Sequence, residues 1–323
     1  MKGNLGYNKD MNLSSKIKVA VLRGGPSSDY DASLKTGEYI LSALRDMSEV
    51  YEPVDIFISK NGEWHRKGLV YEPHRALEHS DVVWNALHGS YGEDGQVERL
   101  LESLQIPFTG SSAVASALAL NKEMARRLYR KHSLLTPAHE LITEDNFGEE
   151  RLIDIFRNFL FPVIVKPANT SGSLGVSLAH TFLELKQTIK ETFAHSPRVL
   201  VEEFIKGNEV SCVVIEDVKG ERIHALLPAS PELQRGEPSS KSKFKLEIEE
   251  SKRIEEMAKR AHEALGLSHY SGSGFIVTPQ RKIYILETSS LPMLHENSLV
   301  PRSLHAAGWR PRDFVDHVLR LAV

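Results

Sequence analysis

Twice within its first 110 residues the chain passes from an apolar strand through a glycine-rich polar loop into an amphipathic helix, and that rhythm confines it to an α/β architecture. The first pass is KIKVAVL, then GGPSSD, then a helix with Leu34, Ile40, Leu41 and Leu44 on one face. The second is DVVWNALHGSYGEDGQVERLLESLQI, again strand, loop and helix. In such units the loop after the strand lies at the carboxyl end of the sheet, where α/β folds bind ligands.

After IPFTGSS the character changes. A helical stretch with Lys122 and several arginines precedes FPVIVKPA, the loop NTSGSLG and VSLA, two strands with a small-residue loop of the kind that covers a phosphate. RVLVEEFI and NEVSCVVI follow, joined by Lys206-Gly207-Asn208. ESKRIEEMAKRAHEALGL predicts a helix with Ile254, Met257, Ala258, Ala261 and Leu265 on one face and Glu255/Lys259 as an i,i+4 pair. YSGSGFIVTPQRKIYILETSSLP reads as a β-hairpin, and the chain closes with a helix from Ser298 and an amphipathic one, DFVDHVLRLAV. A chain of 323 residues suits two or three modules around a cleft. The divisions expected are a tail over 1–16 and modules over 17–107, 108–206 and 207–323, although no Pro/Ser-rich linker marks them.

Composition narrows the function. With 26% charged residues and net charge -3, a polyanion-binding surface is not the main business, so no nucleic-acid partner is expected. The single cysteine, Cys212, excludes an internal disulfide and a Cys-rich zinc site, and points to a reducing, cytoplasmic home. MKGNLGYNKDMNLSSK has no apolar core of a signal, and no stretch approaches the ~18 apolar residues of a membrane span, so no membrane partner is expected.

Several residues carry candidate chemistry beside a plainer role. Lys166 ends an apolar strand before PANTSGSLG; it is either a phosphate-facing ammonium or a lysine snorkelling from a hairpin. Glu202, Glu203 and Glu209 stand at strand ends, where solvated edge acids are common. His88 is a structural histidine or a cleft residue, Asp29 is placed to cap the helix that carries Leu34, and Cys212 faces a core. In the hairpin, a two-residue turn at Gln280-Arg281 would set Ile276 opposite Ile285 and Gly274 opposite Glu287. Magnesium binds through one or two carboxylates with phosphates and waters, and this hairpin offers one. Between His269 and Lys282 there is no Asp or Glu, so no shift of register supplies a second.

These segments, in this order, resemble the D-alanine–D-alanine ligases of the ATP-grasp superfamily: NALHGSYGEDGQVERLLESLQIPFTGSSAVASALALNK, FPVIVKPA, LVEEFIKGNEV and ENSLVPRSLHAAG. The similarity runs from Lys16 to Val323. It implies an N-terminal α/β, Rossmann-like domain, a central ATP-grasp domain and a C-terminal ATP-grasp domain, with ATP between the last two. It also implies phosphorylation of one D-alanine carboxylate by ATP and attack on the acyl phosphate by a second D-alanine amine, a step of peptidoglycan precursor synthesis. Carried over by position, Lys122, Lys166 and Ser173 match phosphate contacts, Glu202 the adenine-side acid and Glu209 the ribose acid. Asp29 and His88 match residues near the first D-alanine, Ser298 and Leu299 the helix start that meets the second substrate's carboxylate, and Glu287 a magnesium ligand. A homodimer is expected by the same analogy.

The departures cluster where the chemistry happens. The family's Arg-x-Asp reads Gly272-Ser273-Gly274, its Glu-x-Asn reads Glu287-Thr288-Ser289, and its Pro-Gly reads Pro292-Met293. The phosphate loop Glu-Gly-Ser-Ser reads Thr170-Ser171-Gly172-Ser173, and PASPELQRGEPSSKSKFKLEIEE is short for the usual closing loop, with Lys241, Lys243 or Lys245 as substitute cations. Phosphoryl transfer depends on positioning and charge neutralisation, so impaired ligase turnover with ATP binding retained is the expectation. A catalytically degenerate nucleotide- or small-ligand-binding paralogue, regulatory or part of an assembly, is the alternative.

Overall fold

The computed structural model describes residues 16–171, 175–230, 245–296 and 298–323. Strand β1 (Ile17–Gly24) leads into α1 (Tyr30–Arg45), and β2 (Tyr51–Ile58) returns parallel beside it. Two short strands, β3 (Trp64–Arg66) and β4 (Leu69–Tyr71), extend the sheet outward. After α2 (Pro73–Ala76), β5 (Val82–Asn85) pairs parallel with the other side of β1, and α3 (Gln96–Ser103) follows. The order β4-β3-β2-β1-β5 makes the loops after β1 and β5 neighbours, the crevice in which such sheets bind ligands. The Ser27 hydroxyl, donating to the His88 carbonyl at 2.8 Å, joins the two loops.

Helices α4 (Ala113–Leu120) and α5 (Lys122–Lys131) start at Ser112 and Asn121, whose side chains accept the Ala115 and Met124 N–H groups. Then come β6 (His139–Thr143), α6 (Glu149–Asn158), β7 (Val163–Pro167), β8 (Ser177–Ala179), α7 (Phe182–Phe193) and β9 (Arg198–Glu203). These strands form an antiparallel sheet in the order β6-β9-β7-β8, with α6 and α7 packed over Ile142, Val165 and Val201.

The last sheet comprises β10 (Asn208–Val218), β11 (Glu221–Ala225), β12 (Tyr270–Val277) and β13 (Ile283–Ser289), in the order β11-β10-β12-β13, with α8 (Ile248–Leu265) against it. β9 and β10 therefore belong to different sheets despite the short turn between them. Gly207 lies at the crossing, where a Cβ would stand 2.4 Å from Ile276 Cγ2 and 2.5 Å from the Val277 carbonyl, so only glycine passes. Helices α9 (Leu299–Ala306) and α10 (Pro311–Ala322) return to the first sheet, where Phe314 packs edge-on against Trp84 and Tyr270. Burial of each such side chain contributes ~1.5–3 kcal/mol, so the chain's end is a structural part of its beginning.

α8 buries Ile254, Ala258, Ala261 and Leu265 as the period predicts, and Cys212 is fully buried in the adjoining core. The expected Glu255/Lys259 pair does not form. Lys259 reaches Glu221 of β11 instead, at 3.5 Å, because that strand lies alongside the helix.

The hairpin departs from expectation twice, and the two departures cancel. Its loop has three residues, Pro279 to Arg281, with Arg281 left-handed (φ 63) and the Thr278 N–H donating to Lys282. Ile276 therefore faces Tyr284, and Phe275 faces Ile285, one residue away from the two-residue-turn pairing. A β-bulge at Leu286 then restores the register, and Gly274 faces Glu287. The extra residue also inverts the alternation: Ile283 and Ile285 point into the core, whereas two residues beyond Ile285 Glu287 is exposed and Thr288 is buried. Without the bulge Glu287 would continue the apolar face.

Among the described residues no helix is long and apolar enough to cross a membrane.

Candidate functional site

The loop after β5, the start of α5, the loop after β7 and the end of β13 converge on one cavity of about 40 Å³, lined by Glu93, Lys122, Thr170, Ser171, Glu287 and Ser289 among others. That is close to the volume of a single water. The β7–β8 loop borders the cavity through Thr170 and Ser171.

Two contacts hold the loop down. The Lys122 ammonium, nearly buried, donates to the Thr170 carbonyl and stands 3.9 Å from Glu287 Oε2. The Ser171 hydroxyl donates to Asp29 Oδ2 at 2.7 Å. Asp29 thus corrects the sequence reading: it occupies the N-cap position of α1, yet its side chain makes no cap bond. Its backbone (φ -90, ψ 17) is not the extended conformation from which a side chain folds back onto its own helix, so the carboxylate is free to point across the cleft.

His88 is 3% exposed, and its Nε2 is 2.8 Å from the Thr36 hydroxyl, which itself accepts the Leu294 N–H. Burial pushes its pKa down to about 4 against the attraction of Asp29, so the ring is neutral at pH 7. It is a cleft-wall histidine that connects the first sheet to the segment after β13.

Glu202 is not a solvated edge acid. It is 2% exposed, with Oε1 at 2.9 Å from Lys166 Nζ and 2.7 Å from Arg126 Nη2. β9 is an interior strand between β6 and β7, so the acid at its end is enclosed and is paired by two cations. Burial lowers the Lys166 pKa, which Glu202 partly offsets. Glu203 accepts the Ala138 N–H at 2.8 Å, and Glu209 stands exposed at the start of β10.

Ser298 is the N-cap residue of α9, but its hydroxyl lies 2.7 Å from the Met293 and His295 carbonyls and bonds the preceding turn. The Ser298 side chain consequently gives the Leu299 and Val300 N–H groups at the helix start no cap, and Pro301 has no N–H to offer. Ser173, Gly172, Lys241 and Lys243 lie outside the described residues.

Glu93 escaped the sequence reading and is central to the cavity. It is 4% exposed, accepts the Gly89 N–H at 2.8 Å and the Ser289 hydroxyl at 3.0 Å, and thereby ties the loop after β5 to the end of β13. Burial pushes its carboxyl up to about 7, and its two hydrogen bonds oppose that rise. The available signal was its place, an acid inside a glycine-rich loop at the carboxyl end of a strand. Among the described residues no group of three or more His, Cys, Asp or Glu could hold a metal ion.

Two antiparallel sheets closing on one another behind an α/β domain define an ATP-grasp protein. The family model described as "D-ala D-ala ligase C-terminus" matches residues 128–320, and "D-ala D-ala ligase N-terminus" matches 69–111. The chain belongs to the D-alanine–D-alanine ligase family. The D-alanine–D-alanine ligase of Geotalea uraniireducens is 33% identical over 311 residues, covering 94% of this chain and 95% of that one. That of Aquifex aeolicus is 32% identical over 299 residues, covering 90% and 96%. Among solved structures, the Coxiella burnetii D-alanine–D-alanine ligase shares the fold (TM-score 0.82, 22% identity, 95% of each chain). The Bacillus anthracis enzyme complexed with ATP has a TM-score of 0.77 at 25% identity, covering 95% of this chain and 97% of that one.

Proposed function

We propose that this family member binds ATP between its central and C-terminal sheets and a small D-amino acid beside Asp29 and His88, and that its D-alanine–D-alanine ligase turnover is impaired. Lys122 and Lys166 would meet the phosphates, Glu202 the base and Glu209 the ribose. Asp29 would hold the first substrate's ammonium, and the uncapped N–H groups of Leu299 and Val300 suit the second substrate's carboxylate.

The observation that carries the proposal is the pairing of Glu287 with Gly274. The residues present are a poor fit for a protein-held magnesium ion. One half-exposed carboxylate faces a glycine and already has Lys122 at 3.9 Å, and the Ser289 hydroxyl is committed to Glu93. Magnesium, when it accompanies ATP, would neutralise phosphate charge, with Glu287 as the one hairpin acid able to hold it. The arginine that resemblance places on β12 is Gly272, so the transferred phosphoryl group lacks that cation as well.

The retained Lys166 and Glu202, ion-paired with each other beside an altered hairpin, favour a second reading, a paralogue that binds nucleotide or a small ligand without turnover. A homodimer belongs to the same proposal; β4, at the sheet edge, exposes Leu69 and Val70 as a surface for it.

The test is phosphate release from Mg-ATP with and without D-alanine, beside an active family ligase, on protein shown by calorimetry to bind ATP. D-Alanine-stimulated release at least ~100-fold below the active enzyme is expected. Release at the active enzyme's rate would overturn the proposal, and ATP binding with none across a panel of amino acids would leave the binding paralogue.

A further inference from the structure

Arg126, the fifth residue of α5, is fully buried and has no part in the chemistry above. Its guanidinium reaches three segments. Nη2 lies 2.7 Å from Glu202 Oε1 at the end of β9 and donates to the Leu286 carbonyl at 3.4 Å, while Nη1 donates to the Pro137 carbonyl at 3.4 Å. Burying a guanidinium is costly, and neutralising Glu202 does not require it, since Lys166 stands 2.9 Å from the same oxygen. What Arg126 adds is direction: its contact with Glu202 is an ion pair without hydrogen-bond geometry, whereas its planar fork donates to two carbonyls on separate segments, Pro137 and Leu286, which an ammonium on a flexible stem does not reach together.

Leu286 is the bulge residue of β13, the one that the ladder with β12 leaves over. That bulge is also what turns Glu287 out of the core face and into the cleft. We propose that Arg126 is a positioning residue: by holding the Leu286 carbonyl it fixes the bulge, and so sets the place of Glu287 relative to Glu202. The inference deepens the ATP-site reading, resting on it for the use of those acids but not for the geometry. A change at Arg126 should therefore be felt at β13 before it is felt at β9.

Hydrogen–deuterium exchange on the ligand-free full chain tests this with Arg126→Lys and Arg126→Met, each checked for folding by circular dichroism. A peptide spanning residues 283–289 should exchange roughly ten-fold or more faster in both variants, the scale of a lost hydrogen bond to a charged group. Peptides of β9 (198–203) should stay protected, because Lys166 still pairs Glu202. Unchanged protection of 283–289 in folded Arg126→Lys would overturn the proposal. So would equal loss over β9, β12 and α5, which would make Arg126 a general packing residue. If Arg126→Met does not fold, Arg126→Lys decides. Because no nucleotide is present, the result is separate from the ATP-binding experiment: failure of the parent chain to bind ATP would remove the functional reading and leave the positioning result standing.

Discussion

Gly274→Asp is expected to create a metal site, seen as a melting temperature that rises with added magnesium in the variant and not in the parent chain. Gly274 lies directly opposite Glu287, and a Cβ built on it meets only Glu287 Cγ, at 3.8 Å, an ordinary contact. Facing residues of this kind have Cβ atoms roughly 4.5–5.5 Å apart, a spacing at which two carboxylates can share a cation. Without metal the facing acids repel, at a cost of up to ~1 kcal/mol that Lys122, 3.9 Å from Glu287, reduces. With free magnesium at about 100 times its dissociation constant, the folded state gains about 2.7 kcal/mol, enough to move the melting temperature by several degrees.

Catalysis asks for more than the metal. At Gly272 a Cβ would sit 3.1 Å from Pro292 Cβ, so Gly272→Arg requires the proline to yield by a few tenths of an ångström. Ser289→Asn gives up the hydrogen bond to Glu93, and Met293→Gly removes an exposed side chain from the turn before α9. The quadruple variant should raise D-alanine-stimulated phosphate release by roughly 100-fold or more, since each lost transition-state donor typically costs that much. A magnesium-dependent melting temperature without that gain would place the defect in the β7–β8 loop or the shortened closing segment. No magnesium dependence at all would mean that Lys122, not the missing carboxylate, keeps a cation away from Glu287.

The parallel strands and α8 were legible because each carries its apolar pattern over enough residues to show it, and the three-residue β8 only because a small-residue loop separates it from β7. β3 and β4 were not, being three residues each, too short for any alternation to register. The Gly274–Glu287 pairing came out correctly through two compensating deviations, a loop one residue longer and a strand with one residue extra. A trace of the bulge does exist in IYILETS, where the face that carries Ile283 and Ile285 would otherwise receive an acid. The local readings of Asp29 as a helix cap and of Glu202 as a solvated edge acid failed for one reason. Local pattern shows a helix start and a strand end, whereas the partners that claim those carboxylates, Ser171 for one and Arg126 with Lys166 for the other, come from distant segments.

Glu98→Gln is expected to stabilise the fold at pH 7 by about 3 kcal/mol, and by almost nothing near pH 4.5. Glu98 lies on α3, 1% exposed, accepting Asn85 Nδ2 at 3.2 Å with Oε1 while Oε2 has no partner. Burial, with Glu93 and Asp94 nearby, pushes its carboxyl up from 4.5 to about 8. Below 4.5 the group is protonated in both the folded and the unfolded chain and contributes no pH dependence. Between 4.5 and 8 the unfolded chain releases the proton and the folded chain keeps it, so each pH unit favours unfolding by about 1.4 kcal/mol; above 8 both forms are ionised and the penalty is constant. Glutamine keeps the acceptor for Asn85 and places an NH2 where Oε2 stands unpaired, with the Ser116 hydroxyl, itself unpaired, as the neighbouring acceptor. Glu93 and His88 titrate in parent and variant alike, so to first order their parts cancel in the difference. Urea unfolding at pH 5, 7 and 8.5 reads that difference directly, and it should grow with pH and level off. A difference independent of pH would mean that Glu98 is ionised in the fold. Because Asn85 also donates to the Gly92 carbonyl, at 3.1 Å, the carboxyl sits directly behind the loop that presents Glu93. The acid that weakens the first sheet as pH rises therefore lies behind the loop that carries Glu93 into the cavity, and the glutamine variant should hold that loop more firmly at pH 7 and above.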